Sequence, residues 1–375
     1  MSSTSGLDQG AVDRLLERVR REVDEGLLPA VQVALGFGGE IVVEECFGQA
    51  DLNSRFCLFS ATKPFVAATL WTLMAEGTVD ITAPVVAYIP EFAGEDKAQI
   101  TVEQVLLHTS GFPHAPLGPP RWSDRASRVQ RMSEWRLNWQ PGTRFEYHPT
   151  SAHWVLAEII ERVTGADYRD EIARRVTGPA GLPRIVGFAE ADQGGIVDLV
   201  LVGEPATADE LEAVFGVREL PGSEVTDDLV LRFNQPDVRA VGVPGGGGFG
   251  RARDLALFYQ EFLHNPHGIW DPDVLAEVTG TVRNSLPDPM GVPANRSLGL
   301  VLAGDDGRSH LRGMGRTVSA AAFGHNGAGG QLAWADPATG LSLGYVTNGY
   351  DRHQIREPRR SSAVASLAAA CVLPG

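Results

Sequence analysis

The 375 residues predict an α+β fold: an antiparallel sheet flanked by terminal helices, with a mostly helical domain inserted between its two halves. Three observations carry this. A helical repeat and two strand-like runs open the chain. Four apolar runs joined by glycine turns, then an Ala-rich helical stretch, close it. Helical and loop-rich sequence fills the middle, with no internal repeat and no low-complexity linker. Helix and strands at both ends join most simply in one layered domain. The sheet domain is therefore expected over 1–75 and 285–375, and the insertion over 76–284.

Residues 10–26 place Val12, Leu15, Leu16, Val19 and Val23 at helical spacing and end on a glycine. Val31–Phe37 and Glu40–Phe47 read as strands about a Gly38-Gly39 turn. A helix is expected from Ser60 to Glu76, burying Phe65, Val66, Leu70, Trp71 and Leu73. Thr101–His108 reads as a helix capped by Thr101, and His114–Trp122 as a loop rich in proline and glycine. A turn at Gln140–Thr143 leads to Phe145-Glu146-Tyr147-His148-Pro149, and a helix over Ala152–Thr164 stops at Gly165. Residues 186–240 are acidic, with one helix predicted at 207–215. Gly245–Gly248 reads as a flexible loop ahead of a helix at 252–264. Strands follow at Leu298–Ala303, Ala320–His325, Gln331–Ala335 and Leu341–Thr347, and Pro358–Val372 is helical.

The chemistry centres on Ser60-Ala61-Thr62-Lys63. Positions i and i+3 share a helix face, so serine and lysine point the same way. A serine hydroxyl needs an adjacent base to become a nucleophile. Lysine among apolar neighbours loses part of its preference for the ammonium form. Pro-Phe-Val-Ala-Ala follows Lys63 directly, so this lysine sits in core-like sequence, and the chain has only one other, Lys97. Pro64 is tolerated in the first turn, and the free N–H groups there favour a developing oxyanion.

Composition narrows the partners. A formal net charge of −15 and the lack of a basic block exclude nucleic acid and anionic membrane surfaces. The first residues carry no basic region followed by an apolar segment, and no apolar run reaches the length of a membrane span. Cys46, Cys57 and Cys371 have unrelated spacings that suit neither a disulfide framework nor a metal site. A soluble cytoplasmic protein is the expectation.

Three motifs now stand in order: Ser60-Ala61-Thr62-Lys63, Tyr147-His148-Pro149, and His325-Asn326-Gly327 followed by Ala328, with Leu107-His108-Thr109-Ser110-Gly111 between the first two. Their conjunction, over nearly the whole chain, resembles the serine β-lactamase and penicillin-binding-protein superfamily, most of all class C β-lactamases and family VIII carboxylesterases. The resemblance implies a β-lactamase/transpeptidase-like fold and an acyl-enzyme on Ser60, with Lys63 and Tyr147 handling protons. It implies an oxyanion hole from the Ser60 and Ala328 amides, and substrate contacts from His325, Asn326, Gly327 and His148. No cofactor and no metal are implied. His108 reads as structural and His153 as packing or surface.

Two departures refine the activity. His325 stands where a lactamase has a lysine that holds a substrate carboxylate, and imidazole is mostly neutral at pH 7. Pro149 replaces the usual asparagine of the second motif and offers no amide side chain, with Ser151 as a stand-in. Both favour a simple carboxylic ester over an anionic amide or lactam. D-Amino-acid amidases or peptidases, β-lactamases and acyltransferases of the superfamily share the motifs, and a silent binding protein could keep the fold. Retention of serine, lysine and tyrosine together speaks against silence.

Overall fold

Val31, Val33 and Leu35 alternate with Ala30, Gln32 and Ala34 along the first strand-forming stretch of the sheet domain, and all six are buried. Both faces of this strand are therefore covered. The computed structural model describes residues 6–94, 96–220 and 226–373; residues 1–5 of the N-terminal stretch, and 221–225 within the acidic segment, lie outside these. The strands, in chain order, are β1 (Ala30–Phe37), β2 (Glu40–Gly48), β3 (Phe56–Cys57), β4 (Val200–Val202) and β5 (Phe249–Gly250), then β6 (Val301–Leu302), β7 (Phe323–Gly324), β8 (Leu332–Asp336), β9 (Leu341–Thr347) and β10 (Gly349–Asp351). Six of them form one antiparallel sheet in the order β2-β1-β9-β8-β7-β6. Strands from the two ends of the chain are thus neighbours at β1 and β9. An antiparallel sheet built from both ends of the chain is what the sequence predicts.

The β1–β2 hairpin turns at Gly38 and Gly39, whose φ values of 62° and 85° are open to residues without a Cβ. One face of the sheet is covered by the terminal helices Gln9–Asp24 and Arg356–Ala369, which pack together. Leu15, Val19, Val364 and Ala368 meet Val31, Val33, Leu343 and Tyr345 there. A buried Arg360 ties the two helices together through Glu22 and Asp351, at 3.4 and 2.9 Å.

The other face carries the helix Ala252–His264. Its sequence position assigns it to the insertion, but it lies on β1, β8 and β9 because a Cβ-free Gly344 lets the Ala252 carbonyl approach the sheet. Beyond it stands the helix Lys63–Ala75, buried on every side from Lys63 to Leu73. An all-round apolar helix belongs inside a core.

Several elements differ from their predicted extents. The runs at 298–303 and 320–325 shrink to the two-residue strands β6 and β7. Gly299 and Gly304, at φ 98° and 70°, bend the backbone out of the sheet on either side of β6. Ahead of β7, Ser319 is held to Asp336 and the chain turns. Residues 245–248 are not a flexible loop; all four are buried. The segment 186–240 contains, besides the expected helix (Ala208–Phe215), the helices Asp227–Leu231 and Pro236–Val241 and the strand β4, which pairs in parallel with β10. These pieces are too short for a periodic signal. Both lysines are interior: Lys97 gives its ammonium to the carbonyls of Met132 and Ser133, each at 2.9 Å.

Candidate active site

Ser60 lies in a 3₁₀ turn, Phe59–Thr62, that feeds directly into the helix beginning at Lys63. In a 3₁₀ turn residues i and i+3 eclipse. Ser60 Oγ accordingly sits 2.9 Å from Lys63 Nζ. Phe59 holds a left-handed backbone, φ 45°, a conformation costing a non-glycine residue about 1–3 kcal/mol. Its ring is wedged edge-on between Phe233 and Tyr350, both at 5.7 Å. That wedge fixes the backbone immediately before the serine.

Lys63 is fully buried, and Nζ has two further partners, the carbonyl oxygens of Pro149 at 2.7 Å and Gly245 at 2.5 Å. Carbonyls only accept. An amine must therefore spend two N–H groups on them, which leaves its third direction toward Ser60. As an ammonium Lys63 donates to Ser60; as a neutral amine it aims its lone pair at the serine hydroxyl. Burial lowers its pKa well below the ordinary lysine value, and the nearby Arg296 cation pushes the same way.

Pro149 thus supplies through its main chain what its side chain cannot. Ser151 is not the stand-in, since it donates to the Phe112 carbonyl and is fully buried. Gly245 packs against Pro149 and Thr150; a Cβ would stand 2.9 Å from the Pro149 oxygen.

The Tyr147 ring lies 5.0 Å from Lys63 Nζ, and its buried hydroxyl is directed at Ser60. Burial pushes the phenol up to about 12, against the opposing pull of Arg296 and Ser60. His325 stands 6.0 Å from Tyr147, ring to ring. Its Nδ1–H donates to the Asn326 carbonyl at 3.0 Å, so Nε2 carries a lone pair, and that atom is buried and unpartnered. Burial, then Arg296 and Lys63, hold the imidazole neutral.

The third motif reaches the serine through Gly327. A Cβ there would collide with the Leu58 carbonyl oxygen, so only glycine permits this approach. Ala328 begins a short helical turn, where an N–H has no acceptor within its own segment.

Two sequence-predicted contacts are placed differently. His148 is fully buried; Nδ1 donates to the Glu146 carbonyl at 2.6 Å, while Nε2 receives the Ser110 hydroxyl and the Phe112 N–H at 3.1 and 3.2 Å. Asn326 spends its amide on the Gly313 carbonyl and its oxygen on the Ala333 N–H. His148 has no ring nitrogen left for a substrate, while Asn326 keeps one amide N–H beyond these bonds; both brace the loops. His108 is structural, accepting the His148 N–H at 3.2 Å. His153 is interior, with both ring nitrogens buried and unpartnered.

Sequence reasoning missed Arg296, whose guanidinium lies 5.3 Å from the Tyr147 ring and 5.6 Å from that of Phe145. Nothing in its sequence context separates it from the other arginines. The wide surface cleft beside Arg125, Glu161 and Arg162 does not contain Ser60; Arg125 pairs there with Glu161, and Arg162 with Glu158.

A Beta-lactamase family model matches residues 15–367. The chain belongs to the β-lactamase family. It is 27% identical over 345 residues to the "Esterase/beta-lactamase LipL" of Mycobacterium tuberculosis, covering 84% of this chain and 76% of that protein. It is 27% identical over 296 residues to "Esterase EstB" of Burkholderia gladioli, covering 71% and 72%. A penicillin-binding-protein homologue from Caulobacter crescentus superposes with a TM-score of 0.78 at 24% identity, over 96% of this chain and 97% of that one. This β-lactamase-family member is a serine hydrolase. No helix among the described residues is long and apolar enough to cross a membrane.

Proposed function

We propose that the protein is a carboxylesterase acting through an acyl-enzyme on Ser60. The observation that carries the reading is the environment of Lys63, whose two carbonyl partners leave its remaining direction to the serine hydroxyl. Neutral Lys63 takes the Ser60 proton as Oγ attacks the ester carbonyl. The Ser60 and Ala328 N–H groups hold the oxyanion that forms. With its phenol near 12, Tyr147 is protonated at neutral pH and serves as donor to the departing alcoholate, Lys63 then restoring its proton. Water, activated by Lys63, cleaves the acyl-enzyme. Ester is favoured over amide because the second motif offers a proline carbonyl already engaged by Lys63, and Asn326 is engaged as well. The names of LipL and EstB point the same way. No cofactor enters these steps, and the partner is a small molecule. Cys46, Cys57 and Cys371 are free thiols, which suits the cytoplasm.

Hydrolysis of p-nitrophenyl acetate and butyrate tests this, with Ser60→Ala alongside. Turnover is expected in the wild type and not in the variant. A folded wild type inert to both esters but active on a cephalosporin or a D-alanyl amide would replace the ester reading.

A further inference from the structure

Residues 356, 359 and 360 are all arginine, and they open the helix Arg356–Ala369. At i, i+3 and i+4 they share one helix face, where like charges repel. They also stand at the end of the helix whose dipole disfavours cations. Something negative must face them. Asp351 supplies part of it, accepting Arg356 at 2.6 and 2.8 Å and Arg360 at 2.9 Å. Glu22, on the helix Gln9–Asp24, supplies more, but it is shared between Arg360 and Arg18.

The charges do not balance. Arg359 is exposed and has no side-chain partner among the described residues. Arg360 is buried, and its Nε and Nη2 meet no acceptor. Glu210 brings a third carboxylate, already engaged in capping its own helix at Thr207. His353 stands 3.6 Å from it and accepts the Ile355 and Arg356 N–H groups through Nδ1. Four guanidiniums, of Arg18, Arg356, Arg359 and Arg360, thus meet three carboxylates, of Glu22, Glu210 and Asp351. That is a local positive surplus in a chain whose net charge is −15. The four arginines line one hollow of about 400 Å³ between the two terminal helices and the helix Ala208–Phe215. Ala213, Val214 and Ile355 give it an apolar wall, and no residue of the three motifs reaches it.

We propose that this hollow binds a phosphate group carried by a small organic molecule, the phosphate on the arginines and the organic part on Ala213, Val214 and Ile355. Guanidinium forks match phosphate oxygens through paired, charge-assisted bonds. The volume falls within the range of small-molecule sites, about 300–1,000 Å³. The site is separate from Ser60 and independent of the ester chemistry.

Isothermal titration calorimetry at fixed ionic strength tests this with phenyl phosphate, inorganic phosphate and benzyl alcohol. One phenyl phosphate per chain is expected to bind, inorganic phosphate more weakly and benzyl alcohol not at all. Inorganic phosphate binding as tightly as its phenyl ester would overturn the organic ligand. Arg359→Glu reverses an exposed charge and should weaken phenyl phosphate by about tenfold or more, the worth of hydrogen bonds to a charged group. Arg359→Lys should keep part of the affinity. Arg296→Gln controls for the catalytic site, where the Arg296 Nε is also buried and unpartnered beside Tyr147. It is expected to leave binding intact; loss there would move the anion to Ser60 and overturn the proposal. Unchanged binding in Arg359→Glu overturns it whatever the Arg296 variant does. So does a folded wild type that takes up no phenyl phosphate at millimolar concentration.

Discussion

Lys63 couples the chemistry to pH with a definite sign. Its folded pKa lies below the ordinary lysine value of 10.5 because burial, then Arg296, penalise the ammonium. The neutral amine is the working form, so acylation is lost as pH falls through that lowered value. A kcat/KM profile should rise with pH and level off well before 10.5; a limb centred on the ordinary value would contradict the assignment. The same group makes stability rise with pH between its folded and unfolded pKa, since the unfolded chain binds the proton that the folded one rejects. Lys63→Arg, which cannot act as a base, should cost roughly 10²–10⁴ in rate. That Ser60 and Lys63 meet was legible because residues three apart share a face, and the resemblance placed Tyr147 beside them. His148 and Asn326 sit in the same motifs, yet they bond Glu146, Ser110, Gly313 and Ala333, partners that no local pattern displays. Arg296 was invisible for the converse reason, since what distinguishes it is a missing partner.

Elements meet at this site through backbone rather than side chain. The Gly327 segment rests on the carbonyl of Leu58, and the Gly245 segment on Pro149 and Lys63. Gly327→Ala should push these apart and pull the Ala328 N–H away from Ser60. The expected result is a fall in kcat of about 10²–10³, typical of losing one oxyanion donor, with a stability loss of about 1–3 kcal/mol from overpacking. Urea unfolding and ester kinetics on the same preparation separate the two; unchanged kcat in a destabilised variant would remove Ala328 from the oxyanion hole. Long elements with a clear period were readable: Gln9–Asp24, β1, β2, Ser151–Thr164 and β9 lie close to their predicted bounds. The failures were of two kinds. Gly-Gly-Gly-Gly looks mobile in sequence, but here lack of side chains is what allows dense packing. Strands of two or three residues, such as β3 to β5, are defined by their partners alone.

At the scale of the whole molecule, the pairing of β1 with β9 was foreseeable from matching element types at the two ends. The Arg360 bridge to Glu22 was not, because it joins side chains 338 residues apart in sequence. Nor could the sequence place the helix Ala252–His264 on the sheet, since its amphipathic pattern fits either layer. The placement of the two lysines has a practical side. Lys63 is 0% and Lys97 1% exposed, so the folded described residues present no ε-amine to solvent. Acylating dyes directed at primary amines should leave both untouched in the native state and mark both once the chain opens. Intact-mass spectrometry after a brief pulse of such a dye would then count opened molecules by two tags beyond any on the α-amine, with no engineered probe; ready tagging of Lys97 in native buffer would show that its shelter opens locally.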